Sequence, residues 1–308
     1  MSKKVLVATQ KPFAGQAVEN MRDICRQAGY DLKLLEKYDG KEQLLEALDG
    51  MDGLIVRSDK IDADIIDQAP DLKIIVRGGA GFDNVDIDHA RERDIVVMNT
   101  PGQNANAVAE LAVGMMLYSA RNHFQPAPGV ELKDKTLGLH AFGNVAQCLA
   151  RITRGFGMTL HAYDPYIDKG IMEQEGVKPA NTLSLLYQNC RYVSLHIPAN
   201  ETTQKCVNYD LLSQMPEGAV LVNTARKEVL CEDSLLKIFR ERSDFHYVTD
   251  IAPDIHDQLA SEFSGRYYAT PKKMGAQTRE ANINAATAAM HQIVGYFERG
   301  DSTFQVNR

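Results

Sequence analysis

The stretch from Thr136 to Asp164, TLGLHAFGNVAQCLARITRGFGMTLHAYD, constrains this chain more than any other. A short apolar run turns at Gly143 and gives way to an amphipathic segment in which Leu149, Ile152 and Phe156 recur at helical spacing. A second β-type run, Leu160 to Tyr163, then closes on Asp164. A β-α-β unit ending in an acid is the arrangement that binds a dinucleotide.

Such a turn needs three small residues: one for the tight turn, one for approach to a pyrophosphate, and one for close helix–strand packing. Here they read Ala141, Gly143 and Ala146, so only the middle glycine is present. The pyrophosphate would rest on free N–H groups at the helix start, near Asn144 and Val145. Asp164 follows Gly143 by 21 positions (164 − 143), close to the ~20 expected of the acid that holds the ribose hydroxyls. An acid there repels a 2′-phosphate and no arginine follows it, so NAD is the expected cofactor over NADP. Taken alone, the degenerate A-x-G-x-x-A also fits an ordinary β-α-β packing turn.

A chain of 308 residues exceeds one comfortable domain, and two are expected. With 44% hydrophobic and 24% charged residues the composition is that of a globular protein. The net charge of −7 argues against nucleic acid or an anionic membrane as a general partner. MSKKVLVATQ runs straight into a strand with no secretory pattern, and no apolar run is long enough to span a bilayer, so a cytoplasmic protein is expected. Five scattered cysteines (25, 148, 190, 206 and 231) without a C-x-x-C suggest reduced thiols and no metal site.

The first hundred residues alternate strand and helix patterns: VLVAT (5–9), LKLLEKY (32–38), LIVRS (54–58), LKIIVRG (72–78) and IVVMN (95–99). A second alternation follows a long apolar helix, Asn104 to about Ala120, through TLGLHAF, TLHAYD, YVSLHIP (192–198), AVLVNTAR (219–226), FHYVTD (245–250) and YYATP (267–271). The expected fold is α/β with two doubly wound parallel-sheet domains. The boundaries read 1–98, completed by a C-terminal helix in 279–308, and 99–278, which carries the dinucleotide motif.

Five further stretches share one pattern: VRSDK (56–60), RGGAGFDNVDI (77–87), NTPGQNANAVAEL (99–111), VNTARKEVLCEDSL (222–235) and TPKKMGAQTREAN (270–282). In this order, over essentially the whole chain, they resemble the D-2-hydroxyacid dehydrogenase family, and most closely its short phosphoglycerate-oxidising members. The resemblance implies a Rossmann NAD-binding domain and roles for particular residues. Arg226, in N-x-A-R, matches the arginine that clamps the substrate carboxylate and polarises the keto oxygen. Gly79, Ala80 and Gly81 match the loop whose N–H groups approach carboxylate and nicotinamide. Arg57 and Ser58 match positions that bind a distal phosphate, with Asn104 and Asn282 as helpers. Asp250 matches the acid that holds the nicotinamide carboxamide. Ile197, Pro198, Thr224, Ala225 and Gly275 line the implied cofactor pocket at strand ends.

The family's acid/base is a histidine in P-H-x-G, supported by a glutamate, and this chain departs from both. The segment reads Pro271-Lys272-Lys273-Met274-Gly275; counting back from Gly275 places Lys273 at the histidine's position, and counting forward from Pro271 places Lys272 there. Lys273 is preferred, because Gly275 and the following helix start fix the geometry. The nearest carboxylate to the glutamate's place is Asp254, in DIAPDI (250–255). The losses fit one another: a glutamate raises an imidazolium's pKa, whereas a lysine starting near ~10.4 needs the reverse, a lowered pKa, to act near neutrality. Losing a carboxylate while keeping Arg226 pushes that way. The segment between Arg121 and Leu137 is shorter than the tryptophan-bearing arm of longer relatives, and the chain has no Trp.

The expected function is therefore NAD-dependent oxidation of 3-phosphoglycerate, a small-molecule substrate, to 3-phosphohydroxypyruvate on the way to serine. A homodimer is expected, joined through the helix 105–120, and a regulatory domain is not expected after Arg308. Two alternatives stand beside it. One is a hydroxypyruvate or glyoxylate reductase of the same family, and the other a catalytically silent NAD-responsive binding protein.

Overall fold

The computed structural model describes residues 2–308. The chain forms two compact units, one of residues up to Asn104 together with Ala276–Arg308, the other Ala105–Gly275. The sequence places these changeovers at 98/99 and 278/279. Residues 99 and 100 stay with the first unit because they are bonded to it: Thr100 N donates to Gly79 O and Asn99 Nδ2 to Ala80 O.

The first unit contains β1 (Lys4–Thr9), α1 (Gly15–Gln27), β2 (Asp31–Glu36), α2 (Lys41–Leu48), β3 (Gly53–Val56), α3 (Ala63–Asp67), β4 (Ile74–Arg77), α4 (Ile87–Glu92) and β5 (Val96–Asn99). All strands are parallel, in the order β2-β1-β3-β4-β5. The inner strands β1, β3 and β4 are mostly apolar because both faces are covered, whereas the edge strand β2 carries Asp31, Lys33 and Glu36. Leu6, Leu54 and Ile75 pack against Leu44, Leu48 and Ile65 on one face. Val5, Val7, Ile55 and Ile74 meet Met21 of α1 and Met290 and Ile293 of the C-terminal helix Arg279–Arg299 on the other. The chain tail covers the outer edge of the sheet: Asn307 accepts from Val97 N and donates to Ile95 O, supplying with one side-chain amide what a neighbouring strand would.

The second unit contains α5 (Ala105–Ala120), β6 (Thr136–His140), α6 (Asn144–Arg154), β7 (Thr159–Tyr163), α7 (Lys169–Gln174), β8 (Lys178–Pro179), α8 (Leu183–Asn189), β9 (Tyr192–Leu195), α9 (Tyr209–Leu212), β10 (Val220–Asn223), α10 (Glu232–Glu241), β11 (His246–Thr249), α11 (His256–Glu262) and β12 (Tyr267–Ala269). Its seven parallel strands run β12-β11-β10-β9-β6-β7-β8. The expected α/β fold with two doubly wound parallel sheets is therefore present. The two-residue edge strand β8 has no sequence signature, and Pro179 belongs at an edge because it cannot donate to a ladder.

One local expectation is corrected. α6 ends at Arg154, so Phe156 lies beyond the helix, 36% exposed, in a turn that Gly157 closes at φ +72°. The apolar α5 spends Ala109, Ala112, Val113 and Met116 on the core of its own unit, packed with Leu149 and Ala150 of α6. The five cysteines are free.

Candidate active site

In doubly wound sheets, ligands bind outside the carboxyl ends of strands where the winding reverses. The second unit reverses between β6 and β9. There Gly143 is the N-cap of α6, with no side chain capping the helix, and a Cβ built on it meets nothing within 4 Å. The uncapped N–H groups of Asn144 and Val145 thus face open space, as an incoming anion requires. Ala146 is fully buried against the sheet, as expected of the third small residue.

The first small position is unusual. Ala141 has φ +75°, a conformation that costs a residue with a Cβ about 1–2 kcal/mol. Its glycine replacement would relieve this strain but lose about 0.5–1 kcal/mol of chain entropy. Ala141→Gly is therefore expected to stabilise the protein by about 0–1.5 kcal/mol, read as a thermal midpoint that stays or rises slightly. A clear fall would mean that the alanine methyl packs better than its backbone suggests.

Asp164 clamps this turn to the end of β7. Its Oδ2 accepts from Phe142 N at 2.9 Å and its Oδ1 from Tyr166 N at 2.9 Å. It lines a cavity of about 670 Å³ with Tyr163, Pro165, Tyr166, Met172 and Ala180. Lys169 also lines this cavity, its Nζ donating to Asn181 Oδ1 at 3.0 Å. No arginine follows Asp164, but a basic residue, Lys169 at the start of α7, stands five positions on and lines the same cavity. Arginine is absent there, as the sequence predicts, yet this lysine brings a positive charge to the cavity.

Ile197 and Pro198 follow β9, Ile197 buried and Pro198 exposed, with Thr203 Oγ1 donating to Pro198 O. After β10, Asn223 folds the next three residues into a turn: Oδ1 accepts from Ala225 N at 2.9 Å and Nδ2 donates to Arg226 O at 3.0 Å. Arg226 Nη1 donates to Ala225 O at 2.9 Å. Sequence reading passed over Asn223, although N-x-A-R is an Asx-turn pattern. The Thr224 hydroxyl oxygen is buried with no protein partner among the described residues. This orphan, the open turn at Gly143 and the clamped Asp164 all suit a bound dinucleotide.

Asp250 directly follows β11 and is 2% exposed. Its Oδ1 accepts from Thr270 Oγ1 at 2.8 Å and Met274 N at 2.9 Å, and its Oδ2 from Gly275 N at 2.8 Å. A Cβ on Gly275 would come within 3.0 Å of Asp250 Oδ2, so glycine is what allows the approach. The carboxylate expected to face nicotinamide thus ties down the loop that carries Lys272 and Lys273, both exposed. Asp254 is also placed differently from expectation: 76% exposed, it pairs with Lys227 Nζ at the surface, raising the lysine's pKa through that hydrogen bond. Glu232 accepts from Asp254 N and Ile255 N and fixes this segment. His140, the last residue of β6, and His196, just after β9, are driven by desolvation to about 4 and about 3 and stay neutral near pH 7.

The first unit reverses between β1 and β3, and a small cavity of about 90 Å³ lies there. Arg57, Ser58, Asn104 and Asn282 line it together with Gly79, as the sequence anticipates, and Arg77 and Phe13 join them. Burial lowers the Arg57 pKa while Asp59 opposes the shift, and its guanidinium lies 5.8 Å from the Phe13 ring. Asn282 Oδ1 accepts from Ala14 N at 3.1 Å, which fixes its amide and turns the NH₂ group into its available end. Gly79 has φ +152°, and a Cβ there would lie 1.6 Å from Arg77 Nη1. A second arginine can therefore occupy the cavity only because position 79 lacks a side chain. Ala80 is exposed next to it.

Comparison with known proteins agrees with this architecture. The family model of the D-isomer specific 2-hydroxyacid dehydrogenase catalytic domain matches residues 8–307. A crystal structure of NAD⁺-bound 3-phosphoglycerate dehydrogenase from Entamoeba histolytica is 45% identical, with a TM-score of 0.89 over 100% of this chain and 99% of that one. A hydroxypyruvate reductase from Thermotoga maritima is 35% identical over 85% of this chain and 90% of its own length. A D-3-phosphoglycerate dehydrogenase from Methanocaldococcus jannaschii is 32% identical over 82% of this chain, which spans only 51% of that longer protein. Two parallel doubly wound sheets, an uncapped dinucleotide turn, an arginine-bearing Asx turn and this match along nearly its whole length establish that the chain belongs to the D-isomer specific 2-hydroxyacid dehydrogenase family.

Proposed function

We propose that the protein oxidises 3-phosphoglycerate to 3-phosphohydroxypyruvate with NAD. The observation that carries the phosphate is the cavity of the first unit, where two arginines, Arg57 and Arg77, converge with Ser58, Asn104 and Asn282. Two guanidinium groups suit a phosphate monoester, which carries about −1.5 to −2 charges near neutrality. Gly143, Asn144, Val145 and Asp164 would hold the dinucleotide, and Ile197, Pro198, Thr224 and Ala225 would line its nicotinamide end. The bound cofactor supplies the hydride acceptor. Arg226 clamps the substrate carboxylate and polarises the C2 oxygen. Lys273 takes the hydroxyl proton on its Nζ as the C2 hydride leaves, and returns it when the keto acid is reduced. Asp250 holds the Lys273 loop, and Asp254, committed to Lys227, has no part in this scheme.

The hydroxypyruvate reductase relative, matched over 90% of its own length, favours a second reading in which the substrate bears no phosphate. Assaying the purified protein for NADH formation from 3-phosphoglycerate, and for NADH oxidation with hydroxypyruvate and with its phosphorylated form, decides between them. A preference for hydroxypyruvate over 3-phosphohydroxypyruvate would select the reductase. Inactivity on all three would leave a binding protein.

Cofactor choice has its own test. Asp164→Ala removes both a ribose partner and a charge that repels a 2′-phosphate, leaving Lys169 as the charge in that cavity. A charge-assisted bond is worth about 1.5–3 kcal/mol, so Kd for NAD should rise about tenfold to a hundredfold while NADP gains relative to it. Equal efficiency with NADP and NAD in the unmutated protein would defeat the assignment.

A further inference from the structure

The phosphate reading depends on where Arg57 is held, and that depends on a residue to which no role has been given so far. Asp59 is 5% exposed and sits three positions past β3. Its Oδ1 accepts from Gln10 N at 2.7 Å, the first residue after β1, and from Tyr38 Oη at 2.8 Å, two residues after β2. Its Oδ2 faces Arg57 N at a longer 3.4 Å, and its own carbonyl accepts from Asn84 Nδ2 at 2.7 Å. One buried carboxylate therefore gathers the carboxyl ends of three adjacent strands, β2, β1 and β3, at the winding reversal where the cavity opens.

A buried carboxylate is retained only when its lone pairs are satisfied. Here a phenol and a backbone N–H satisfy it at short distance, neither of them a cation. The Asp59 charge is thus not consumed in an ion pair of its own. The sharp turn from β3 through Arg57 and Ser58 is pulled onto the β1 end by these bonds, while the Phe13 ring and burial confine the guanidinium. A pre-placed guanidinium loses less rotamer freedom on meeting an anion than a free one.

The geometry points to Asp59, with Tyr38 as its buttress, as the positioning residue of the anion cavity, setting the preference for phosphorylated over unphosphorylated substrate without touching either. This rests on the reading of the Arg57 cavity as a phosphate site. The test compares kcat and KM for reduction of 3-phosphohydroxypyruvate and of hydroxypyruvate in Asp59→Ala, Asp59→Asn, Tyr38→Phe and Arg57→Ala, with circular dichroism of each. In Asp59→Ala, KM for the phosphorylated substrate should rise about tenfold, the loss of one charge-assisted bond, with kcat and the hydroxypyruvate parameters within about twofold. Asp59→Asn keeps an acceptor for Gln10 and Tyr38 and should recover KM to within about threefold. Tyr38→Phe, which keeps the ring and leaves the fold intact even if Asp59→Ala does not fold, should raise the same KM by about threefold to fivefold. An unchanged phosphate preference in Tyr38→Phe and in any folded Asp59→Ala, or an Asn variant as impaired as Ala, overturns the inference. If Arg57→Ala separates the two substrates and these variants do not, only the role of Asp59 falls. If Arg57→Ala fails to separate them, the phosphate reading itself falls and takes this inference with it.

Discussion

Lys273→Ala should lower kcat for 3-phosphoglycerate oxidation by about 10²–10⁴, the range for loss of a general acid/base. NAD affinity should hold, because the dinucleotide turn at Gly143 and the Asp164 clamp lie on other loops of the second unit. Lys272→Ala should be mild. Two adjacent side chains cannot both reach the same hydroxyl, and the backbone of Lys272 is already used, its carbonyl accepting from Thr270 Oγ1 at 2.9 Å. The pH profile adds a second criterion. An amine is a base only when neutral, and its reference pKa near ~10.4 stands well above imidazole's ~6.5, so oxidation should keep rising into alkaline pH where a histidine enzyme has levelled off. Lys273→His should recover activity only in part, since Asp254 is engaged by Lys227 at the surface. A normal rate in Lys273→Ala with collapse in Lys272→Ala would transfer the role to the neighbour. Normal rates in both would remove lysine from the chemistry.

Arg57→Ala should raise KM for 3-phosphoglycerate about tenfold to a hundredfold, the loss of a charge-assisted bond worth about 1.5–3 kcal/mol. The effect should be far larger than on hydroxypyruvate, which has no phosphate to lose. The half-buried setting favours the upper part of that range, because a guanidinium already stripped of water competes less with solvent for its anion. Arg77 moderates it, since a second guanidinium remains in the cavity. Placing a methyl group at Gly79 probes that second cation: Gly79→Ala must displace Arg77 Nη1, which sits 1.6 Å from where the new Cβ would be. Equal damage to both substrates in Arg57→Ala would make Arg57 a structural residue and place the phosphate elsewhere.

The strand–helix alternation, the turn around Gly143 and the acid at Asp164 were legible in the amino-acid order, because each is a local pattern with a local physical cause. Alternation implies parallel sheets, a small residue permits a tight turn, and an acid some twenty residues on reaches a ribose. Arg57, Ser58, Asn104 and Asn282 could be grouped through family resemblance, and they do line one cavity. Arg77 could not be read as their neighbour from its place in RGGAGF: it enters the cavity because Gly79 adopts φ +152° and leaves the space open. The duties of the carboxylates were likewise decided in three dimensions. Asp250 and Asp254 lie four positions apart in one loop, yet one is buried under three donors and the other is exposed on a surface lysine. Asp59 looks in sequence like a solvated charge between Ser58 and Lys60, and only the sheet order β2-β1-β3 brings Tyr38 and Gln10 to it. Which residues are polar is written along the chain, but which hydrogen-bond partners they find depends on strand order and burial. Both are set by packing between segments far apart in sequence.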